Sequence, residues 1–172
     1  MLHWLTLLLI VLGVASVLSR ELSDDKAIRT VLLAAHRTAG LLVLWTVVLR
    51  LLSRWVVASD AVNAGLPRHL HLASRFGHAA LYLGLTAIPL LGWALSNARG
   101  QHVMLFEIFP LPNLVDRDRD LAESLEGWHE NLAWGLMTLA SVHALAALWH
   151  HHIRKDHVLR SMLPRPKASR PQ

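Results

Sequence analysis

Uncharged apolar stretches of membrane-spanning length constrain this chain more than any other feature. The run from Met1 to Ser19 holds no Asp, Glu, Lys or Arg, and neither does the run from Phe76 to Ala98 or from Asn131 to Ile153. Between Thr30 and Leu49 the single charge is Arg37. A helix rises ~1.5 Å per residue, so about 20 apolar residues cross the hydrocarbon core of a bilayer. The sequence therefore predicts an all-α membrane protein, a four-transmembrane-helix bundle with spans at roughly 2–19, 28–52, 71–97 and 126–152. Composition agrees. Hydrophobic residues make up 53% of 172, mean hydropathy is +0.37, and charged residues are 17% against about 25% in soluble domains. That excludes a disordered chain and argues against a soluble globule. The first stretch has the length of a retained span rather than a cleaved signal peptide, and no Lys or Arg precedes it.

The loops set an orientation. Segment 50–75 holds Arg50, Arg54, Arg68 and Arg75 with one acid, Asp60. The tail 153–172 holds six Lys or Arg with one acid, Asp156. The other two connections, 20–29 and 98–126, hold six Lys or Arg against nine acids. Positive loops stay on the cytoplasmic side, so both termini are expected to be cytoplasmic. The net charge of +5 then reflects topology, not nucleic-acid binding. Residues 1–152 form the transmembrane domain, and 153–172 are expected to be a basic cytoplasmic tail against anionic lipid. The acidic stretch Asp116 to Glu126 lies on the outer face, and its charge run 116–120 reads as a solvated loop.

Twelve histidines equal all the acids together, and there is no cysteine. The missing thiols exclude disulfides, thiolate-held iron–sulfur clusters and thioether-attached haem. His129 and His143 are fourteen residues apart on the fourth span. Fourteen residues are close to four turns and ~21 Å, so the two lie on one face at opposite sides of the hydrocarbon core. His36 matches the depth of His129 on the outer side, and His3 matches His143 on the inner side. Two histidine pairs at two depths in a four-helix bundle are what two bis-histidine haem b groups require. A lone intramembrane histidine is more often an interhelical hydrogen bonder; four at two matched depths argue for ligation. Small residues near them, Gly40, Ala133, Ala140 and Ala147, leave room for a flat macrocycle, although such residues also pack membrane helices. The iron ligands expected from spacing are thus His3, His36, His129 and His143.

These residues carry a resemblance. "LHWL", "AHRTAGLLVL", "RFGHAALYL", "IPLLGW", "ARGQHVMLF", "WHENLA" and "VHALAALWHHH" are similar to segments of the bacterial cytochrome b561 family, and within it to its small di-haem members that include superoxide oxidase. The similarity runs from residue 2 to about 160. It implies one haem b between His3 and His143 and another between His36 and His129. It implies a quinone site near His78 and His150, ubiquinone as acceptor, and superoxide or another small periplasmic molecule as donor. Arg37, beside His36, is a candidate partner for a haem propionate. Two positions depart from the pattern. Only two residues precede His3 where the family carries an arm, and Glu107 stands where the family has glycine. In the same outer loop Arg99, His102, Arg117 and Arg119 are candidates to attract an anion, interleaved with Asp116, Asp118 and Asp120.

The function expected is that of a membrane-bound haem oxidoreductase passing electrons across the bilayer. Two alternatives stay open. One is a haem b anchor subunit relaying electrons from a partner dehydrogenase or hydrogenase to quinone. The other is a non-haem metal-binding or transport protein, to which the cluster His150–His152 remains open. A zinc site would gather its ligands at one depth, whereas these pairs lie ~21 Å apart.

Overall fold

A computed structural model describes residues 2–56 and 68–153. It consists of four long helices, α1 (Leu2–Leu22), α2 (Lys26–Val56), α3 (Arg68–Ala98) and α4 (Arg119–His152), and a short hairpin of β1 (Met104–Leu105) and β2 (Phe109–Pro110) between α3 and α4. Each helix carries a window long and apolar enough to cross a membrane. The predicted four-span bundle is therefore present. The chain alternates direction, which puts the start of α1 and the end of α4 at one end of the bundle, here the terminal end. The α1–α2 and α3–α4 connections lie at the other, the loop end.

The fourth helix begins seven residues before the expected span. Asp118 caps it: its Oδ1 accepts the Leu121 N–H at 3.0 Å, and Asp120 sits in the first turn where the helix dipole favours an anion. Residues 119–125, expected as an outer-face loop, are thus helical. At 34 residues α4 is ~51 Å long, well beyond the ~30 Å hydrocarbon core. The turn into α2 is closed similarly. Asp25 Oδ1 accepts the Ala27 and Ile28 N–H groups at 2.7 and 3.2 Å. Arg29 donates to the α1 carbonyl of Arg20 (3.1 Å) and to Ser23 O (3.2 Å).

Two hairpins result, α1–α2 and α3–α4, joined along α2 and α3. Among the described residues α4 does not approach α1 or α2 at the level of the backbone. A slot therefore runs between the hairpins. It is plugged at mid-depth by a cluster of Leu9, Val43, Val47 and Leu85, with Leu136 reaching in from α4. On α2 this plug lies between His36 and Arg50, and on α4 between His129 and His143, so it divides the slot into two chambers. Large apolar side chains such as Leu8, Leu83, Val142 and Leu145 are exposed on the outside, as a lipid-facing surface allows. Half-buried positions on α4 recur as Leu125, His129, Ala133, Leu136, Ala140, His143, Ala147 and His150, one stripe facing the slot.

Candidate functional site

At the loop end the slot brings together His36 of α2 and His129 of α4. Each is ten residues into its helix, and the two helices run in the same direction, so the depths match. Their ring centres are 6.0 Å apart and the ring planes cross at 82°. Two imidazoles bound to one metal through ~2 Å nitrogen bonds have ring centres about 6 Å apart. Each ring is also fixed on its other nitrogen. His36 Nδ1 lies 2.9 Å from Gly13 O, and His129 Nδ1 lies 3.0 Å from Ile88 O. A carbonyl only accepts, so both Nδ1 atoms carry the proton and both Nε2 atoms keep a free lone pair. That is the tautomer a metal-ligating histidine needs, with its orientation set by an outer hydrogen bond.

The local sequence explains this placement. In "IPLLGW", Ile88 offers its carbonyl to His129, and one turn on Gly92 leaves space for the ring. A Cβ on Gly92 would stand 2.9 Å from His129 Cε1. On α1 the Gly13 carbonyl serves His36 as the Ile88 carbonyl serves His129, and a Cβ on Gly13 would meet Ala39 only at an ordinary 3.5 Å. Gly40 meets nothing within 4 Å of where its Cβ would be and lines the loop-end cavity with Arg37 and His36. That cavity is small, about 90 Å³, and is lined from α2, α3 and Val103 without His129; His36 and His129 beside it are donors of the type haem iron takes.

The loop above this chamber is fastened by a residue that sequence reasoning passed over. Asn97 is 3% exposed. Its Nδ2 donates to Gln101 O (3.1 Å) and Asn113 Oδ1 (3.2 Å), and its Oδ1 accepts Leu114 N–H (2.9 Å). His102, one of the anion-attracting candidates, is 3.1 Å from the same Asn113 Oδ1. Arg37 donates to Gln101 Oε1 at the chamber's rim. Arg99 is paired with Glu126 at 2.5 Å, and the Arg117 side chain lies over Gly100. Arg119 is exposed at the start of α4. In the hairpin Phe106 and Glu107 both have positive φ, 54° and 56°. The turn is closed by Ile108 N–H to Leu105 O at 3.1 Å. Glu107, noted above for standing where a glycine is expected, therefore occupies a backbone conformation that favours glycine.

At the terminal end His3, His78 and His143 line one cavity of about 710 Å³, within the size range of ligand pockets. His143 makes its ring contact with His78, at 5.4 Å between centres, rather than with His3. His3 stacks edge-on with Trp4 (5.4 Å). His78, expected beside a quinone, thus sits in the chamber of the expected ligands. Its Nδ1 bonds Ser74 O at 2.8 Å, which also leaves Nε2 as the base. His150 is not among the cavity's lining residues; it lies two turns beyond His143 on the same stripe. Arg50, which counts in the sequence only as a loop charge, lines the cavity too. Among the described residues no group of three or more His, Cys, Asp or Glu is arranged to hold a metal ion, the run at His150–His152 included. The expected basic tail lies outside the described residues, as do Arg54's side chain and Asp60.

The chain matches the prokaryotic cytochrome b561 family over residues 1–165. It is 32% identical over 167 residues to cytochrome b561 homolog 1 of Escherichia coli, covering 96% of this chain and 94% of that one. It is 36% identical over 131 residues to cytochrome b561 homolog 2 of the same organism, covering 74% and 68%. A probable superoxide oxidase CybB of Yersinia pestis is 27% identical over 166 residues, covering 96% and 93%.

Proposed function

Because this chain belongs to the prokaryotic cytochrome b561 family, we propose that it is a di-haem oxidoreductase that takes electrons from superoxide at one membrane face and delivers them to ubiquinone at the other. Family membership makes it a multi-pass bacterial membrane protein with b-type haem and a part in transmembrane electron transfer. The finer reading rests on the two chambers. When bound, a b-type haem supplies a one-electron iron couple at each depth.

One observation carries the proposal. His36 and His129 come from separate hairpins, their rings stand 6.0 Å apart, and each is locked by a backbone carbonyl in the ligating tautomer. In this reading they hold the loop-end haem, with Arg37 at the rim as partner for a propionate. His3 and His143 hold the second haem from opposite hairpins, and His78 in the same chamber with His150 beyond it orients the quinone. The apolar plug of Leu9, Val43, Val47 and Leu85 keeps water from joining the two chambers. The loop end faces the periplasm of an inner membrane, and both termini face the cytoplasm, as the loop charges require. The superoxide reading is supported by the Yersinia relative and by the cations Arg37, Arg99 and Arg20 near the loop-end chamber, although Glu107 also lies within electrostatic reach of Arg37 and offsets part of that charge.

The test is a reduced-minus-oxidised spectrum with haem quantified per chain, followed by superoxide addition with ubiquinone present. Two b-type haems per chain, and quinone reduction that tracks superoxide loss, are expected. One haem or none refutes the two-chamber reading. Two haems that superoxide fails to reduce refute the donor.

A further inference from the structure

On α2, Arg50 stands fourteen residues beyond His36, the same interval that separates His143 from His129 on α4. The two helices run in the same direction with His36 and His129 in register. Where α4 presents its second histidine, α2 therefore presents an arginine. Its side chain lines the terminal-end cavity with His3, His78 and His143. Its guanidinium nitrogen Nη2 is buried and has no hydrogen-bond partner among the described residues.

That is a costly arrangement for the protein alone. Arginine stays charged in proteins, and a buried guanidinium needs an anion or several acceptors. An arginine near a helix end usually escapes by extending to water, yet here Nη2 is enclosed. Among the described residues that line the cavity there is no carboxylate. The titratable neighbours are three histidines and Tyr82; an imidazole base or a phenol hydroxyl brings no negative charge to neutralise a cation. The missing counter-charge must then arrive with the occupant. A quinone headgroup is neutral and offers only carbonyl oxygens. A haem b brings two carboxylates, whose planar geometry matches the guanidinium fork.

We propose that Arg50 binds a carboxylate of the haem held in the terminal-end cavity and thereby sets the potential of that haem. The assignment rests on the di-haem reading above. It gives this chamber the electrostatic partner that Arg37 supplies at the other, and it makes the burial of Nη2 a preformed anion site. Removing the positive charge leaves the carboxylate uncompensated, which favours the oxidised, more positive iron.

The experiment uses the full chain purified with haem, in wild-type, Arg50→Gln and Arg50→Lys forms. Haem per chain is counted, and the two couples are resolved by potentiometric titration, assigned by their absence in His129→Ala and His143→Ala. In Arg50→Gln the terminal-end couple is expected to shift so that its reduced-to-oxidised ratio falls about tenfold at fixed potential, ~59 mV for one electron. The loop-end couple stays in place and reports that the bundle is intact. Arg50→Lys recovers most of the shift because it keeps the charge. Loss of the terminal-end haem in Arg50→Gln with retention in Arg50→Lys supports the same assignment. Loss in both variants overturns it, because shape and not charge then matters. Unchanged couples and haem content in Arg50→Gln also overturn it, and a rise in quinone KM alone would transfer Arg50 to the quinone. A wild-type protein with no haem removes the di-haem reading and this assignment together; unchanged couples in Arg50→Gln remove this assignment alone.

Discussion

Gly92→Ala tests the loop-end chamber with the smallest possible change. The new methyl would lie 2.9 Å from His129 Cε1, 3.2 Å from Nδ1 and 3.8 Å from Nε2. Ordinary contact begins at 3.4 Å, so the ring must retreat by several tenths of an ångström. It is not free to do so, because Nδ1–H is tied to Ile88 O on the same helix as Gly92, at 3.0 Å. Either the contact is strained, at about 1–3 kcal/mol for overpacking, or the hydrogen bond is broken, at about 0.5–1.5 kcal/mol. Loss of an outer-shell partner of a metal-ligating histidine typically weakens the metal about 10–100-fold, equivalent to ~1.4–2.8 kcal/mol. The loop-end haem is therefore expected to be retained about 10–100-fold less tightly, while the terminal-end haem stays at one per chain. Transfer of haem to an excess of scavenger protein, followed optically, measures both. Equal rates for Gly92→Ala and wild type, with two haems retained, would contradict the placement of iron against His129.

Five further substitutions probe neighbouring links. His129→Ala is expected to remove one of two haems; a spectrum that still accounts for two per chain would sink the loop-end pair. His3→Ala is expected to lose the terminal-end haem while His78→Ala keeps both and impairs quinone reduction; the reverse pattern would make His78 the ligand that its ring contact with His143 permits. Glu107→Gly should raise stability by about 0.5–1 kcal/mol, the ~1–2 kcal/mol left-handed cost at φ 56° less the chain entropy a glycine adds; a lowered unfolding midpoint contradicts it. Asn97→Ala removes three hydrogen bonds at a 3%-exposed site, leaves Leu114 N–H without its acceptor, and should cost about 1–3 kcal/mol locally. Protease cleavage between 99 and 118 then accelerates, and an unchanged cleavage rate argues against the fastening role.

Counting along the chain suffices for the number of spans and the depth of each histidine. Helical rise per residue is fixed, so the fourteen residues from His129 to His143 give a separation along the axis without any tertiary information, whereas the helix starts at Lys26 and Arg119 came from the structure. The chain also marks Gly40, as room for a flat macrocycle, and "IPLLGW", without a reason for it. Lateral geometry belongs to the packing, because which rings meet depends on how two hairpins lean together, and no one-dimensional interval encodes that. The fold alone set the His78 ring against that of His143, turned the Ile88 and Gly13 carbonyls toward imidazoles on other helices, and showed why Gly92 must lack a side chain. The charged run 119–125 became helix because the Asp118 cap outweighs its polarity, which hydropathy alone does not register. Arg50 shows the division most clearly. Its place in the chain puts a positive charge near a span's end. Packing encloses its Nη2 beside three histidines, where the charge needs an anion that the described lining of the chamber does not provide.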